Sequence, residues 1–288
     1  MKNRLSVIII NYNTAEMTER AVRNFLEKEK GLDAEIILID NGSKEKLDAE
    51  KFSRLGANPH TKIDVGIKLI MNKENLGFAK AANQGMMLAT GDYILLLNSD
   101  VFVKEGAIGK MVKYMEDHLD IAVLGPRFYN IKGDIQPSAG YSPNLLRELM
   151  RLLMLSKVFP GGTLVYKNIF TERFFNQASE VGWVSGGCML IRREALKKTG
   201  LLDENYFFGV EDMDFCARQI QAGSKVVYFP EAEIMHYHGF SSGGRGSLFS
   251  LRHEKIGMTY FFKKFFPGSK LSLAIISALY DLKIKILD

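Results

Sequence analysis

Three short polar clusters carry side chains able to do chemistry, and they lie far apart in the chain. Asn98-Ser99-Asp100 sets an amide and a carboxylate at alternate positions, a pair able to hold a hard divalent cation and, through it, a diphosphate. Taken alone, the same string also suits a polar turn capping the next helix, since all three residue types favour caps. Glu211, Asp212 and Asp214 crowd the start of a predicted helix. The helix dipole favours acids there in any case, yet Glu211 or Asp212 could project into a cleft as a general base. His236 and His238 form the third cluster. A lone histidine is usually structural, whereas two beside a candidate metal site suggest ligands.

These clusters need a frame that gathers them. Tyr93 to Leu97 is a continuous apolar run, as expected of a central parallel strand covered on both faces. In such sheets ligands gather at the carboxyl ends of strands, which is where Asn98-Ser99-Asp100 falls. Leu5 to Ile10, Glu35 to Ile39 and Ile67 to Met71 repeat the apolar pattern. The first ends in Asn11-Tyr12-Asn13-Thr14 and the second in Asp40-Asn41-Gly42-Ser43. Thr14 can cap a helix with Met17, Ala21 and Phe25 on one face; the weaker stretch from Lys46 to His60 reads as a helix and a loop ending near Pro59. A third helix follows Asn75-Leu76-Gly77 and runs through Ala81, Ala82, Met86 and Leu88. This alternation predicts an α/β fold with a doubly wound, mostly parallel sheet.

Asp40 offers a carboxylate to a ribose or base, or else is a turn residue before Gly42. Gly77 would let the backbone approach a phosphate at a helix mouth, with Asn83 one turn in as a further contact. The chain holds neither a G-x-G-x-x-G fingerprint nor a G-x-x-x-x-G-K-[ST] loop, which counts against a dehydrogenase and a P-loop NTPase.

Further along, a helix is expected over Lys104 to His118, then a short strand from Ile121 to Leu124 broken by Gly125-Pro126. Arg127 to Gln136 reads as a strand pair turning at Lys132-Gly133-Asp134. Between Tyr141 and Gln177 a leucine- and methionine-rich helix with Arg147, Arg151 and Lys157 at its edges suits a membrane interface, a greasy acceptor or a packed helix. Gly182 to Arg193 gives a turn and a strand, and Glu194 to Thr199 a short helix closed by Gly200. Tyr206-Phe207-Phe208 is an aromatic loop before the acidic helix. Lys225 to Phe229 is a strand ended by Pro230. The tail begins as a loop at Gly243, Gly244 and Gly246 and continues as helices over Arg252 to Phe266 and Leu271 to Leu287. Its Phe261, Phe262, Phe265 and Phe266 beside Lys263 and Lys264 fit anionic lipid, the lid of a core or a homodimer contact.

The 288 residues, 47% hydrophobic and 25% charged, suffice for one large α/β domain or one domain plus a small appendage. A net charge of +5 without a basic block gives a polyanionic ligand or membrane surface a slight advantage and does not single out nucleic acid. Cys188 and Cys216 lack metal-ligand spacing and are expected reduced. No secretory leader and no spanning run are recognisable, so the catalytic part is expected in the cytoplasm, with peripheral contact at the inner membrane face as an option.

In this order the elements resemble the family 2 glycosyltransferases of the GT-A fold, particularly the bacterial rhamnosyltransferase-like branch. The matching pieces are Ser6 to Asn13, Ile39 to Ser43, Asn75 to Ala79 with Asn83, Leu97 to Asp100, Gly186-Gly187, Glu211 to Asp214 and His236. The resemblance implies a GT-A domain over 1–245, with a nucleotide-sugar half to about 125 and an acceptor half after it, and a helical tail over 246–288. It implies an inverting, metal-dependent transferase that moves a sugar, foremost rhamnose from dTDP-rhamnose, onto a cell-surface polysaccharide or lipid-linked glycan. The alternatives are a UDP-sugar donor, or a protein that binds sugar nucleotides or glycans without catalysis.

The roles follow position by position. Asp100 and His236, with His238 as the alternative, would hold Mg2+ or Mn2+; the metal would offset charge on the departing nucleoside diphosphate. Asp212 matches the catalytic base, with Glu211 second. Asn11, Asn13, Asp40, Asn41, Gly77, Asn83, Asn98, Ser99 and Gly187 would line the donor site, Asp40 facing the base. Asn98 departs from the aspartate common there and would bond ribose or sugar instead. Trp183, Tyr206 and Phe207 would wall the acceptor cleft.

Overall fold

The computed structural model describes residues 4–56, 66–153, 176–237 and 247–288. The first half alternates β1 (Leu5–Asn11), α1 (Ala15–Lys28), β2 (Ala34–Asp40), α2 (Ala49–Gly56), β3 (Ile67–Met71), α3 (Phe78–Leu88) and β4 (Tyr93–Asn98). β5 (Val101–Val103), α4 (Ala107–Asp117) and β6 (Ile121–Tyr129) follow, then the short β7 (Ile135–Gln136), β8 (Ala139–Gly140) and α5 (Leu145–Leu152). The chain continues through β9 (Ser179–Glu180), β10 (Trp183–Val184), β11 (Cys188–Arg192), α6 (Leu196–Thr199), α7 (Glu211–Gln221) and β12 (Lys225–His236). Two tail helices, α8 (Leu248–Phe265) and α9 (Lys270–Leu287), complete it.

The main sheet has the order β3-β2-β1-β4-β11-β6-β12-β5. Its first four strands are parallel, β11 runs against both neighbours, and β12 is parallel to β6. Alternate residues of β1 feed two cores: Leu5, Val7 and Ile9 pack with α1 and α4, Ile8 with α3. That double burial is why the strands read as unbroken apolar runs.

Two strands outrun their prolines. β6 continues through Gly125-Pro126 to Tyr129, because Pro126 falls between its pairing with β11, which ends at Leu124, and its pairing with β7, which begins at Phe128. β12 continues through Pro230 to His236, because Pro230 falls in the register shift between Phe229 and Glu233. The second continuation matters: it carries His236 to Val101 on β5, beside Asp100. Asp100 itself lies in the turn between β4 and β5 and caps no helix, since α4 begins only at Ala107.

A third core joins the tail to the body, with Leu152, Tyr206, Val210, Leu251, Met258, Phe261, Phe262, Ile276 and Tyr280 buried together. Phe261 and Phe262 are therefore a lid on the core and cannot lie on lipid. Of the expected helix between Tyr141 and Gln177, the structure shows α5; residues 154–175 lie outside the described residues, as do His238, Pro59, the glycines Gly243, Gly244 and Gly246, and the 245/246 boundary.

Candidate active site

The ends of β4 and β12 deliver the first pair of groups. Asp100 and His236 are each under 10% exposed, with His236 Nε2 3.5 Å from Asp100 Oδ1. The other ring nitrogen, Nδ1, is 3.2 Å from Gln136 Oε1. An amide oxygen accepts, so this contact calls for a proton on Nδ1. With Nδ1 turned to the amide, Nε2 is left toward the carboxylate, an N/O pair that could share a cation. Nitrogen and carboxylate donors with the second nitrogen oriented by an amide suit a divalent metal. Among the described residues no group of three or more His, Cys, Asp or Glu is placed to hold one unaided. Remaining ligands would come from beyond the described residues.

Across the end of β4, α7 supplies the second pair. Its N-terminus is set by Val210, which takes φ +74°, a rare conformation for a β-branched residue. Among the described residues only Asn13, at φ 57°, is another non-glycine at positive φ. Both flank polar clusters predicted to act. Asp212 is half-buried; its carboxylate accepts from Gly186 N at 3.0 Å and from Met213 N at 2.8 Å. Glu211 is 6% exposed and its Oε2 finds no hydrogen bond. Burial, with the Asp212 carboxylate adding to it, raises Glu211 well above the usual carboxylate range. Accessibility therefore separates the two acids in favour of Asp212 as the group able to meet a substrate.

Gly186-Gly187 links the two pairs. Gly187 O accepts from Asn98 N at 2.9 Å, two residues before Asp100. A side chain at Gly187 would meet the Phe128 ring and the Asn98 amide, and Phe128 lies edge-on to His236 with centroids 5.3 Å apart. Asp212, Gly186-Gly187, Asn98, Phe128, His236 and Asp100 thus form one contiguous rim at the carboxyl end of the sheet. Asn98 makes no side-chain hydrogen bond among the described residues and is half-buried, so its amide is available there.

Several residues expected to touch a donor are instead used up internally. Asp40 is fully buried and accepts from Ser43 N and Leu47 N, both at 2.9 Å, so it organises the turn after β2 and shows no surface to a base. Asn11, also fully buried, donates to Ser43 Oγ and accepts from Thr14 and Thr18. Asn41 bonds Asn72, Asn75, Leu76 and the Gly77 carbonyl. Asn83 is spent on Leu202 and Glu204, tying α3 to the loop before the aromatic segment. Ser99 shares a hydrogen bond with Thr14 at 3.0 Å. Gly77, at φ +84°, does permit a close backbone approach, but the approaching group is the Phe207 carbonyl, which accepts from Phe78 N at 2.8 Å. Of Asn11-Tyr12-Asn13-Thr14, Asn13 alone is exposed.

The acceptor-side residues also divide. Tyr206 is 2% exposed and its hydroxyl lies 3.3 Å from Asp214, so it is core and not cleft wall. Phe207 is 39% exposed and stacks on His253 of α8 at 5.1 Å. Trp183, half-buried against Gly140, stands two residues before Ser185, next to the Gly186 that meets Asp212. Sequence reasoning missed Gln136 and Phe128, which orient and flank His236, and Gly257, which packs on Val210. None carries a local signal, since each acts across more than 45 residues of chain.

Fold and rim together define a glycosyltransferase of the GT-A architecture. The chain belongs to glycosyl transferase family 2, whose family model matches residues 6–200. It is 29% identical over 276 residues to the N-acetylglucosaminyl-diphospho-decaprenol L-rhamnosyltransferase of Mycobacterium tuberculosis, covering 91% of this chain and 84% of that protein. Among solved structures it resembles a mannosyltransferase from Pyrobaculum calidifontis in complex with GDP-Man and Mn2+, with TM-score 0.62, 15% identity, and coverage of 100% of this chain and 73% of that one. GalNAc-T7 with UDP, GalNAc and Mn2+ matches at TM-score 0.62 and 17% identity, over 98% of this chain and 54% of its own. At those identities the structural likeness speaks for the fold. Among the described residues no helix is long and apolar enough to cross a membrane.

Proposed function

We propose that the protein is an inverting transferase that moves a sugar, rhamnose from dTDP-rhamnose in the first instance, onto a glycan or lipid-linked acceptor. The observation that carries this reading is the rim itself: one half-buried carboxylate, Asp212, is linked to the Asp100–His236 pair through Gly186-Gly187, Asn98 and Phe128. The similarity to a rhamnosyltransferase that acts on a lipid-linked glycan supports the choice of donor and acceptor.

Asp100 and His236 would hold a divalent cation, and Mn2+ in the solved relatives of this fold supports that role. When bound, the cation would act as a Lewis acid for the leaving nucleoside diphosphate. Gln136 fixes the His236 ring so that Nε2 remains a donor atom toward it. Asp212 takes the proton from the acceptor hydroxyl, held in place by the Gly186 and Met213 amides. A single base with no enzyme nucleophile in the rim implies one displacement and inversion at the anomeric carbon. Asn98 contributes its amide to the donor's ribose or sugar. Glu211, kept protonated by burial, adds no second negative charge beside the base.

The test is Asp212→Asn, assayed for transfer and, in parallel, for thermal stabilisation by dTDP, UDP and GDP sugars with and without Mn2+. The expected outcome is loss of transfer with nucleotide-induced stabilisation retained, dTDP-rhamnose giving the largest shift. Full transfer by the variant removes Asp212 from the role.

A further inference from the structure

We propose that the outer face of α9 is a docking surface for an anionic lipid bilayer. The helix is apolar on two sides. Its inner side is buried in the third core through Ile276 and Tyr280, at 1% and 0% exposed. Its outer side sets Leu271, Ile275, Leu282 and Ile286 in one stripe, at 76%, 43%, 56% and 74% exposed. Their spacing of four, seven and four residues keeps them on one face, with Ala274 and Ala278 filling the gaps. The stripe runs for about 22 Å at 1.5 Å per residue. A helix apolar all round is normally covered on all sides. Here one side is bare among the described residues.

Charge identifies the cover. The acids of the two tail helices are neutralised within the chain: Glu254 by Arg151, Asp281 by Lys255 and Asp288 by Arg252. Lys264 is likewise spent on Asp203 and Asp214. Lys270, Lys283 and Lys285 of α9 make no ion pair among the described residues, so the helix that carries the stripe has cations without matching anions there. Lys285 borders the stripe, and its alkyl stem can follow the apolar surface while the ammonium reaches outward. A second copy related by a two-fold axis would set these unmatched lysines against one another. An anionic headgroup layer matches both the apolar stripe and the cations at its edge. The helix lies in the interface and does not span it.

This inference is independent of the donor and acceptor assigned above, and its test uses neither. Purified full-length chain is sedimented with vesicles of phosphatidylcholine alone and of equal parts phosphatidylcholine and phosphatidylglycerol. The chain is expected to pellet with the anionic vesicles, less with the neutral ones, and to be released by added salt. Leu271→Ser with Leu282→Ser and Ile286→Ser should lower the partition coefficient about tenfold or more at unchanged melting temperature. Lys283→Glu with Lys285→Glu should weaken binding to the anionic vesicles selectively. No pelleting of the native chain, or pelleting indifferent to the triple substitution, overturns the proposal. So does a native dimer that the triple substitution converts to monomer without any vesicle binding.

Discussion

Glu35 and Glu211 are both buried, at 1% and 6% exposed, yet the two regions they occupy treat a carboxylate in opposite ways. Under the sheet, Glu35 accepts from Ser6 Oγ, Thr90 N, Thr90 Oγ1 and Lys68 Nζ, at 2.6 to 2.9 Å. Burial alone would raise it, but these donors hold it down at about 2. At the rim, Glu211 has one oxygen without a partner, a carboxylate neighbour, and a raised affinity for its proton. The same residue type at similar depth is therefore held ionised in one place and pushed toward its protonated form in the other. What separates them is the supply of donors. The donor-side turns follow the first pattern, with Asn11, Asp40 and Asn41 saturated by their own surroundings. Around the start of α7 the second pattern holds, with Val210 at positive φ directly before Glu211, whose Oε2 lacks a hydrogen bond.

That contrast can be broken experimentally. The largest effect is expected at the rim, where Asp212→Asn should cut transfer by about 10²–10⁴-fold with melting temperature nearly unchanged, measured by product formation and calorimetry. The opposite pattern is expected for Asp40→Ala. Leaving Ser43 N and Leu47 N without their acceptor should lower stability by about 1–3 kcal/mol in denaturant melts, while the folded fraction keeps its turnover. If Asp40→Ala abolishes nucleotide binding in fully folded protein, the saturated turn is a ligand site after all.

Gly257→Ala sharpens the rim side. A Cβ there would lie 2.9 Å from Val210 Cγ2 and 3.2 Å from the Gly209 carbonyl, displacing the residue that sets the start of α7. A cost of about 1–3 kcal/mol for overpacking is expected, with kcat lowered more than KM, read from steady-state kinetics.

The smallest effects are in pH dependence, and they have opposite signs. Glu35 is lowered in the folded state, so its contribution is full above the ordinary carboxylate range and is lost as pH falls toward about 2. Glu211 is raised, so the folded state binds its proton more tightly and stability declines as pH rises above the ordinary range toward the folded value. Glu35→Gln should flatten the acid limb of the melting-temperature profile. Glu211→Gln should flatten the neutral-to-alkaline limb. Identical profiles for the two variants would erase the distinction.

Much of this was legible in the chain because burial on two faces writes itself as apolar runs. β1 to β4, and the helices between them, fall where Leu5 to Ile10, Glu35 to Ile39, Ile67 to Met71 and Tyr93 to Leu97 put them. Asp100, Asp212 and His236 stood out because each follows or begins such an element. The direction in which polar side chains turn was not legible. Asn11, Asp40 and Asn41 end strands just as Asn98 does, yet they turn inward to Ser43, Thr18 and Asn75 while Asn98 does not. Nor could a proline be known to sit in a bulge, since the partner strand that tolerates Pro230 lies a hundred residues upstream.

The sequence alone determined which segments are strands and helices, and which residue types end them, because periodicity and turn chemistry are local. Only the tertiary structure decided that His236 reaches Asp100, that Glu211 is buried while Asp212 is not, and that α9 keeps an apolar face outward. Those outcomes depend on which distant groups supply hydrogen bonds and cover. That supply is a property of the packed chain and of no single stretch within it.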